Sequence, residues 1–413
     1  MATLLHLDRS PRPPIAARDA KRPMRVALFS GNYDCVRDGA NQALNRLVDY
    51  LQARHGVTVR IYTPRAPKPA FAAVGDIQAV RSLGLPGRPE YRLALGLTSA
   101  ARADLDSFAP DIIHLSAPDW LGWQALGYAR QNDLPVIASV HTRFETYADY
   151  YRLSFLRKPI ERYLDRFYGR CDRILAPTLP IADEFATAYG EAKISIWGRG
   201  VDRARFHPSL RSDAVRSAYG YDRDDVVPLF FGRLVLEKGL DVFAETIALL
   251  RQRHPGLRPL IVGEGPARSW LAQRLPNATF AGHLEGEALG TAIASADILI
   301  NPSVTEAFGN VNLEAMASGL PVVSADVPSA SALVTHDVTG LLVEPKEAAA
   351  YAAAVEHLIG DPRRRRRMSA MASAAADRYD WDDALAPVHQ AYADCLADAL
   401  PSVMARELML CAG

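Results

Sequence analysis

Cysteine is scarce: the 413 residues hold four, Cys35, Cys171, Cys395 and Cys411, with no C-x-x-C pair. That excludes a disulfide framework and a thiolate zinc site, and the expected state is reduced thiols in a cytoplasmic protein. An excess of one charge is missing as well, because 47 Lys and Arg balance 47 Asp and Glu. Nothing global therefore draws the chain to nucleic acid. No apolar run approaches the roughly 20 residues of a membrane-spanning helix. The loop Gly263-Glu264-Gly265 has no third glycine, so a dinucleotide fingerprint is not met. Residues 1–23 carry Pro11, Pro13, Pro14 and several arginines after a short Leu4-Leu5 patch. That is too weak for a signal peptide and predicts a disordered leader.

What is present is 49% hydrophobic composition in a chain long enough for two domains. Strands are predicted at Met24–Ser30, Val57–Tyr62, Asp111–Leu115, Pro135–Val140 and Arg173–Pro177, with helical stretches between them. The helix over Asn41–Arg54 places Leu44, Leu47, Val48 and Leu51 on one face. The pattern then restarts at Val226–Gly232 and continues through Pro259–Gly263, Ala278–Ala281, Ala296–Ile300, Pro321–Ser324 and Gly340–Val343. Strands separated by helices predict two α/β doubly wound, Rossmann-like domains. The junction falls in the breaker-rich Gly198–Ser209. The expected division is an N-terminal domain over 24–203, a C-terminal domain over 204–378, and a helix and tail over 379–413. Two such domains facing each other would leave a cleft lined by strand carboxyl ends.

The stretch Pro302–Asp326, P-S-V-T-E-A-F-G-N-V-N-L-E-A-M-A-S-G-L-P-V-V-S-A-D, carries the most chemistry. A loop with Glu306, Phe308 and Gly309 follows a buried strand. Asn310–Ser318 then reads as a helix ended by Gly319. Glu306 thus lies beyond a strand's carboxyl end, and Gly309 and Asn310 at a helix N-terminus that favours an anion. Glu314 lies one turn in. A ligand with hydroxyls at both ends and phosphate between, such as a nucleotide sugar, suits this arrangement. The alternative is an ordinary strand–loop–helix unit with Glu314 as a solvated helix residue.

Gly232-Arg233-Leu234-Val235-Leu236-Glu237-Lys238-Gly239 follows the first strand of the second series. Arg233 can grip a phosphate with its planar fork and Lys238 as a point charge; otherwise both are surface cations. His141 follows a strand of the first series, where a lone histidine is more often structural. Asp222-Arg223-Asp224 and Asp380-Trp381-Asp382 have a D-x-D form, but neither sits where a strand delivers a ligand.

These runs together bear a resemblance. Thr305–Val323, with Glu306 and Glu314 as E-x7-E, resembles the donor-site signature of the family-4 retaining glycosyltransferases. Gly232–Gly239 is similar to that family's G-R-L-x-x-x-K-G diphosphate element. His141-Thr142-Arg143-Phe144-Glu145-Thr146-Tyr147 is similar to its H-T-x-F-x-x-Y element. The resemblance covers about residues 24–400. It implies the GT-B architecture, a last helix crossing back onto the first domain, and transfer of a hexose from a UDP- or GDP-linked sugar with retention. By this resemblance His141 faces the donor sugar, Arg233 and Lys238 meet the diphosphate, Glu306 the sugar hydroxyls and Glu314 the ribose hydroxyls. Gly39 falls where the family commonly has a Gly-Gly pair, and here the run is Asp38-Gly39-Ala40. Gly263, His283, Leu284, Phe308, Gly309, Asn310 and Val311 complete the expected donor-binding set. No metal and no cofactor are expected, since Arg233, Lys238 and the Gly309 helix end supply positive charge. A nucleotide-sugar epimerase and a non-enzymatic sugar-binding protein are the alternatives from other classes. His141 with E-x7-E speaks against the first, and the two cations against the second.

The acceptor side is less determined. Tyr150–Arg170 repeats arginine at 162, 166 and 170 beside Phe155, Leu156, Tyr163 and Phe167, with Glu161 and Asp165 diluting the charge. It reads equally as an ordinary amphipathic helix or as a membrane-surface helix over 150–170. The expectation is a lipid acceptor reached by peripheral contact with the inner face of the cytoplasmic membrane, with a soluble glycan or small molecule next. Arg363–Arg367 predicts an exposed helix without a nucleic-acid role. Tyr379–Leu400 is expected to be helical with a kink at Pro387.

Overall fold

The computed structural model describes residues 22–36, 38–85, 88–142, 155 and 157–411; for 88–90 and 400–411 it describes only the backbone. Residues 1–21 of the predicted leader over 1–23, Phe144 and Tyr147 of the histidine element, and Tyr150–Ser154 and Leu156 of the basic stretch lie outside the described residues.

By packing, the chain divides into two units. One comprises Met1–Ala138, Arg170–Arg173 and His389–Gly413; the other comprises Ser139–Gly169 and Ile174–Val388. The first half of the chain gives β1 (Arg25–Phe29), α1 (Gly39–His55), β2 (Thr58–Thr63), β3 (Asp76–Ala79), β4 (Ser82–Leu85), β5 (Arg88–Ala94), α2 (Ser99–Phe108), β6 (Ile112–Leu115) and α3 (Trp120–Gln131). β7 (Val136–Ser139), α4 (Arg157–Tyr168), β8 (Arg173–Ala176), α5 (Leu179–Tyr189) and β9 (Ile194–Ile196) follow. These strands form a sheet in the order β3-β2-β1-β6-β7-β8-β9, with β4 and β5 as a separate antiparallel pair. β1 runs parallel to both β2 and β6. Its Val26, Ala27, Leu28 and Phe29 are all buried, as a strand covered on both faces requires. α1 starts at Gly39, where the Asp38 side chain accepts the Asn41 N–H, and ends at Gly56 with φ +62°.

The second half gives α6 (Asp213–Ala218), β10 (Pro228–Phe231), α7 (Leu240–Arg253), β11 (Leu260–Val262), α8 (Arg268–Arg274), β12 (Thr279–Gly282), α9 (Gly286–Ala294), β13 (Ile298–Asn301) and α10 (Asn310–Ala317). β14 (Val322–Ala325), α11 (Pro328–Ser331), β15 (Gly340–Val343), α12 (Ala348–Gly360), α13 (Pro362–Ala376) and α14 (Trp381–Cys411) complete it. The sheet order is β12-β11-β10-β13-β14-β15, parallel throughout. Successive strand residues serve opposite cores, because side chains alternate across a strand. Phe230, Ile261, Ile298, Ile300 and Val323 pack with Phe243 and Ile247 of α7 on one face. Leu229, Leu260, Leu299 and Val322 pack with Leu313 and Met316 of α10 on the other.

That order reverses between β10 and β13, so the loops beyond their carboxyl ends border the crevice where open α/β sheets bind ligands. Both fold expectations hold: two parallel, doubly wound sheets with helices between the strands. The exposed hairpin β4–β5, with Leu83, Leu85 and Leu93 at the surface, was not legible as strands because it buries no alternating face. α14 runs through Pro387 as one element, and from His389 onward it is part of the first unit. There Tyr392 OH lies 2.6 Å from His114 Nδ1 on β6. Cys35, Cys171 and Cys395 are buried free thiols. Among the described residues no helix is long and apolar enough to cross a membrane.

Candidate functional site

The second unit builds its crevice from two loops that touch. After β10, Gly232 takes φ +142° and Gly239 takes φ +72°, both left-handed values that favour glycine. A Cβ at Gly239 would lie 2.8 Å from the Pro302 carbonyl oxygen, so only glycine allows the β10 and β13 loops this close. A Cβ at Gly263 would lie 1.9 Å from the Gly232 carbonyl oxygen. Gly263 therefore serves the close approach of two backbones. Leu234 N–H donates to the Glu264 carbonyl (2.9 Å) and seals the β10 loop to the β11 loop.

On this framework Lys238 Nζ lies 2.5 Å from Glu306 Oε1, each side chain about one-fifth exposed. Lys238 comes from the short 3-10 turn Leu236–Lys238, and Glu306 from the β13 loop. Arg233, half-buried, heads the same β10 loop. Thr305 Oγ1 donates to the Glu237 carbonyl at 3.3 Å and ties the two loops one residue away from the pair.

A buried polar chain supports the β13 loop from below. Asn301 Nδ2 donates to Asn312 Oδ1 (2.7 Å), Asn312 Nδ2 donates to Ser324 Oγ (3.3 Å), and Asn301 Oδ1 accepts the Ser303 N–H (3.2 Å). Such a satisfied network fixes one geometry where an apolar core would allow several. Gly309, at φ +92°, is the N-cap of α10 and offers no side chain to the first turn. The helix thus presents its N-terminal N–H groups and dipole uncovered by its own cap. Asn310, Val311 and Glu314 are half-buried along this end. Gly232 faces Val311, since a Cβ there would lie 3.9 Å from Val311 Cγ2. Leu284 packs on the α10-side core. His283 is exposed, and its Nε2 lies 2.9 Å from Glu285 Oε1. Gly39 opens α1 in the first unit.

His141 sits just past β7, with its ring edge-on to Trp197 at 4.9 Å. Ser139 Oγ is 2.9 Å from its Nε2 and Arg199 Nη2 is 2.8 Å from its Nδ1. Arg199 is 4% exposed, donates through Nη1 to the carbonyls of Trp197 and Gly198, and lies over the Trp197 and Phe308 rings. Burial pushes its pKa down to about 10, which leaves it charged at neutral pH. The sequence reading passed over Arg199 because Gly198–Ser209 looked like a linker. The available signal was a cation set between two glycines directly after a tryptophan.

Of the two runs of D-x-D form, the second has a local role: Asp380 Oδ1 accepts the Asp382 and Asp383 N–H groups at the start of α14. Asp222 of the first donates its backbone N–H to Asp225 Oδ2 in the turn before β10.

Residues 37–205 match the family described as Glycosyltransferase Family 4, and residues 225–361 match Glycosyl transferases group 1. The chain is 31% identical to a GDP-mannose-dependent alpha-mannosyltransferase of Corynebacterium glutamicum, over 91% of this chain and 90% of that protein. It is 34% identical to the enzyme of the same description from Mycolicibacterium smegmatis, over 83% and 90%. A glycogen synthase of Mycobacterium tuberculosis is 30% identical over 89% and 94%. Among solved structures, sucrose-phosphate synthase from Thermosynechococcus elongatus superposes with a TM-score of 0.72 at 19% identity, over 91% of this chain and 100% of that one.

Proposed function

Because this chain belongs to the glycosyltransferases built from family-4 and group-1 domains, we propose that it transfers a hexose, mannose foremost, from a nucleoside-diphosphate sugar with retention. The observation that carries the reading is the Lys238–Glu306 pair, held between the two switch-point loops. A cation and a carboxylate in contact suit the junction of a sugar and a phosphate. Lys238 and Arg233 face the diphosphate as negative charge builds on it. The bare N-terminus of α10 adds its dipole there, and Glu306 accepts hydrogen bonds from the sugar hydroxyls. Glu314, farther along α10, takes the ribose hydroxyls. With three sources of positive charge the departing diphosphate is neutralised without a metal ion. GDP-mannose is the preferred donor because two mannosyltransferases that depend on it are similar over most of their length.

The acceptor assigned here is a lipid or lipid-linked glycan, met at a membrane surface through α4. Lys158, Arg162, Arg166 and Arg170 are exposed on or just after it, and Phe155 is 73% exposed beside its start. Phe167 does not share in this: it is buried at 0% exposure, so the apolar contribution expected from it is corrected to Phe155 and the half-buried Tyr163. Glu161 pairs with Arg157 at 2.8 Å, and Asp165 accepts the Tyr189 hydroxyl at 2.9 Å. Both acids are thereby engaged locally. A cavity of about 210 Å³ lies between α4 and α5 and reaches Val140 and Thr142 beside His141. The second reading is a soluble glycan acceptor, favoured by the similarity to glycogen synthase.

A donor panel tests the reaction. The protein is incubated with GDP-mannose, GDP-glucose, UDP-glucose and UDP-glucuronate, and free nucleoside diphosphate and products are read by mass spectrometry. Release of GDP from GDP-mannose is expected. No release from any donor, with and without a lipid extract, sinks the proposal.

A further inference from the structure

We infer that Arg199 is a positioning residue that fixes which nitrogen of His141 carries the proton. The inference rests on the reading of His141 as a residue facing the donor sugar.

A guanidinium has donors and no acceptor. At 2.8 Å, Arg199 Nη2 can only donate to His141 Nδ1, so Nδ1 is a bare acceptor. The ring proton then resides on Nε2, which donates to Ser139 Oγ at 2.9 Å. A proton on Nδ1 would set N–H against N–H and lose a charge-assisted hydrogen bond, so the imidazole is neutral with one tautomer. Orientation is fixed as well, since Trp197 meets the ring edge-on at 4.9 Å.

Arg199 is itself held rigidly. Its Nη1 is anchored on two backbone carbonyls, at 3.0 Å for Trp197 and 2.8 Å for Gly198. Its guanidinium carbon lies 4.9 Å from the Trp197 ring centroid and 6.0 Å from that of Phe308, two residues beyond Glu306. Among the described residues no carboxylate within ion-pair distance competes for it. A structural arginine in a core is usually neutralised by an acid, because a buried charge is otherwise costly. Here the charge is spent on an imidazole and on the face of the donor loop's aromatic ring. The arrangement delivers a neutral His141 with a donating Nε2–H. Ser139 Oγ holds that N–H; a donor hydroxyl that displaces the serine would receive it, with no second cation beside an electron-poor sugar.

The test reads the tautomer directly. In protein labelled with 15N-histidine, long-range 1H–15N correlation spectra at about pH 7.5 distinguish the two tautomers and the charged ring, and His141→Gln assigns the signal. Wild type is expected to show a neutral ring protonated on Nε2. Arg199→Met is expected to give a tautomer mixture or a charged ring, and Arg199→Lys to restore the single tautomer through its own donor. With GDP-mannose, Arg199→Met should lower kcat by about 10- to 100-fold, by analogy with the partners that orient metal-bound histidines, with donor KM nearly unchanged. Ser139→Ala, which leaves Arg199 intact, should keep the proton on Nε2 and covers the case that Arg199→Met does not fold. A wild-type His141 protonated on Nδ1 or charged, an unchanged tautomer in folded Arg199→Met, or a loss confined to KM overturns the inference. Failure of every nucleotide sugar to react would sink the proposed function instead, and the spectra would still decide this one.

Discussion

Lys238 Nζ and Glu306 Oε1 are 2.5 Å apart across 68 residues of sequence, a cation–carboxylate contact between the two switch-point loops. Each satisfies the other. In the proposed reading the pair opens toward a bound donor, the lysine to phosphate and the carboxylate to sugar hydroxyls. Each side chain is thus held in the crevice before the donor arrives.

Lys238→Ala should lower turnover by about 100-fold, the typical cost of removing one preorganised electrostatic contact. Circular dichroism should show an intact fold, since Lys238 packs no core. EDTA should leave the wild-type rate unchanged. Steady-state kinetics on the variant and on the EDTA-treated enzyme check both; full activity of Lys238→Ala, or loss of all activity in EDTA, contradicts the assignment.

The two glutamates should separate by calorimetry. Glu314→Ala should weaken binding of the bare nucleoside diphosphate, whereas Glu306→Ala should spare that binding and cripple transfer. The reverse order would assign sugar and ribose to the wrong carboxylates.

His114 makes acid stability measurable. Burial pushes its pKa down to about 3 from 6.5, so the folded state holds it neutral while the unfolded chain takes a proton below about 6.5. This contribution to stability is fully present above pH 6.5 and is lost as pH falls toward 3, by at most about 1.4 kcal/mol per unit. Thermal melts between about pH 7 and pH 5 should fall more steeply for wild type than for His114→Gln. Equal slopes would show that His114 does not titrate on unfolding.

Vesicle co-sedimentation addresses α4. Wild type should pellet with anionic vesicles at low salt, release at high salt, and stay in solution with neutral vesicles, because exposed cations at a charged surface contribute about 1 kcal/mol each and are screened. Changing Arg162, Arg166 and Arg170 to Glu should abolish pelleting. A wild-type protein that never pellets removes the membrane from the acceptor reading.

Much of this site could be read from the sequence because its parts are local. A buried strand, a glycine-bearing loop and a helix start in that order place Glu306 and Gly309 at a strand end. The same logic places Arg233 and Lys238 after β10. Those rules depend on backbone periodicity and on the conformations glycine permits, which a few neighbouring residues settle. The tertiary structure decided what those residues meet. The contact of Lys238 with Glu306 follows from the reversal of strand order between β10 and β13. The burial of Phe167 follows from the packing of α4, which its amphipathic pattern left open. Arg199 was hidden in a run of helix breakers until folding set its guanidinium 2.8 Å from an imidazole 58 residues earlier. Distant pairs of this kind depend on which surfaces exclude water together, and that is a property of the packed chain.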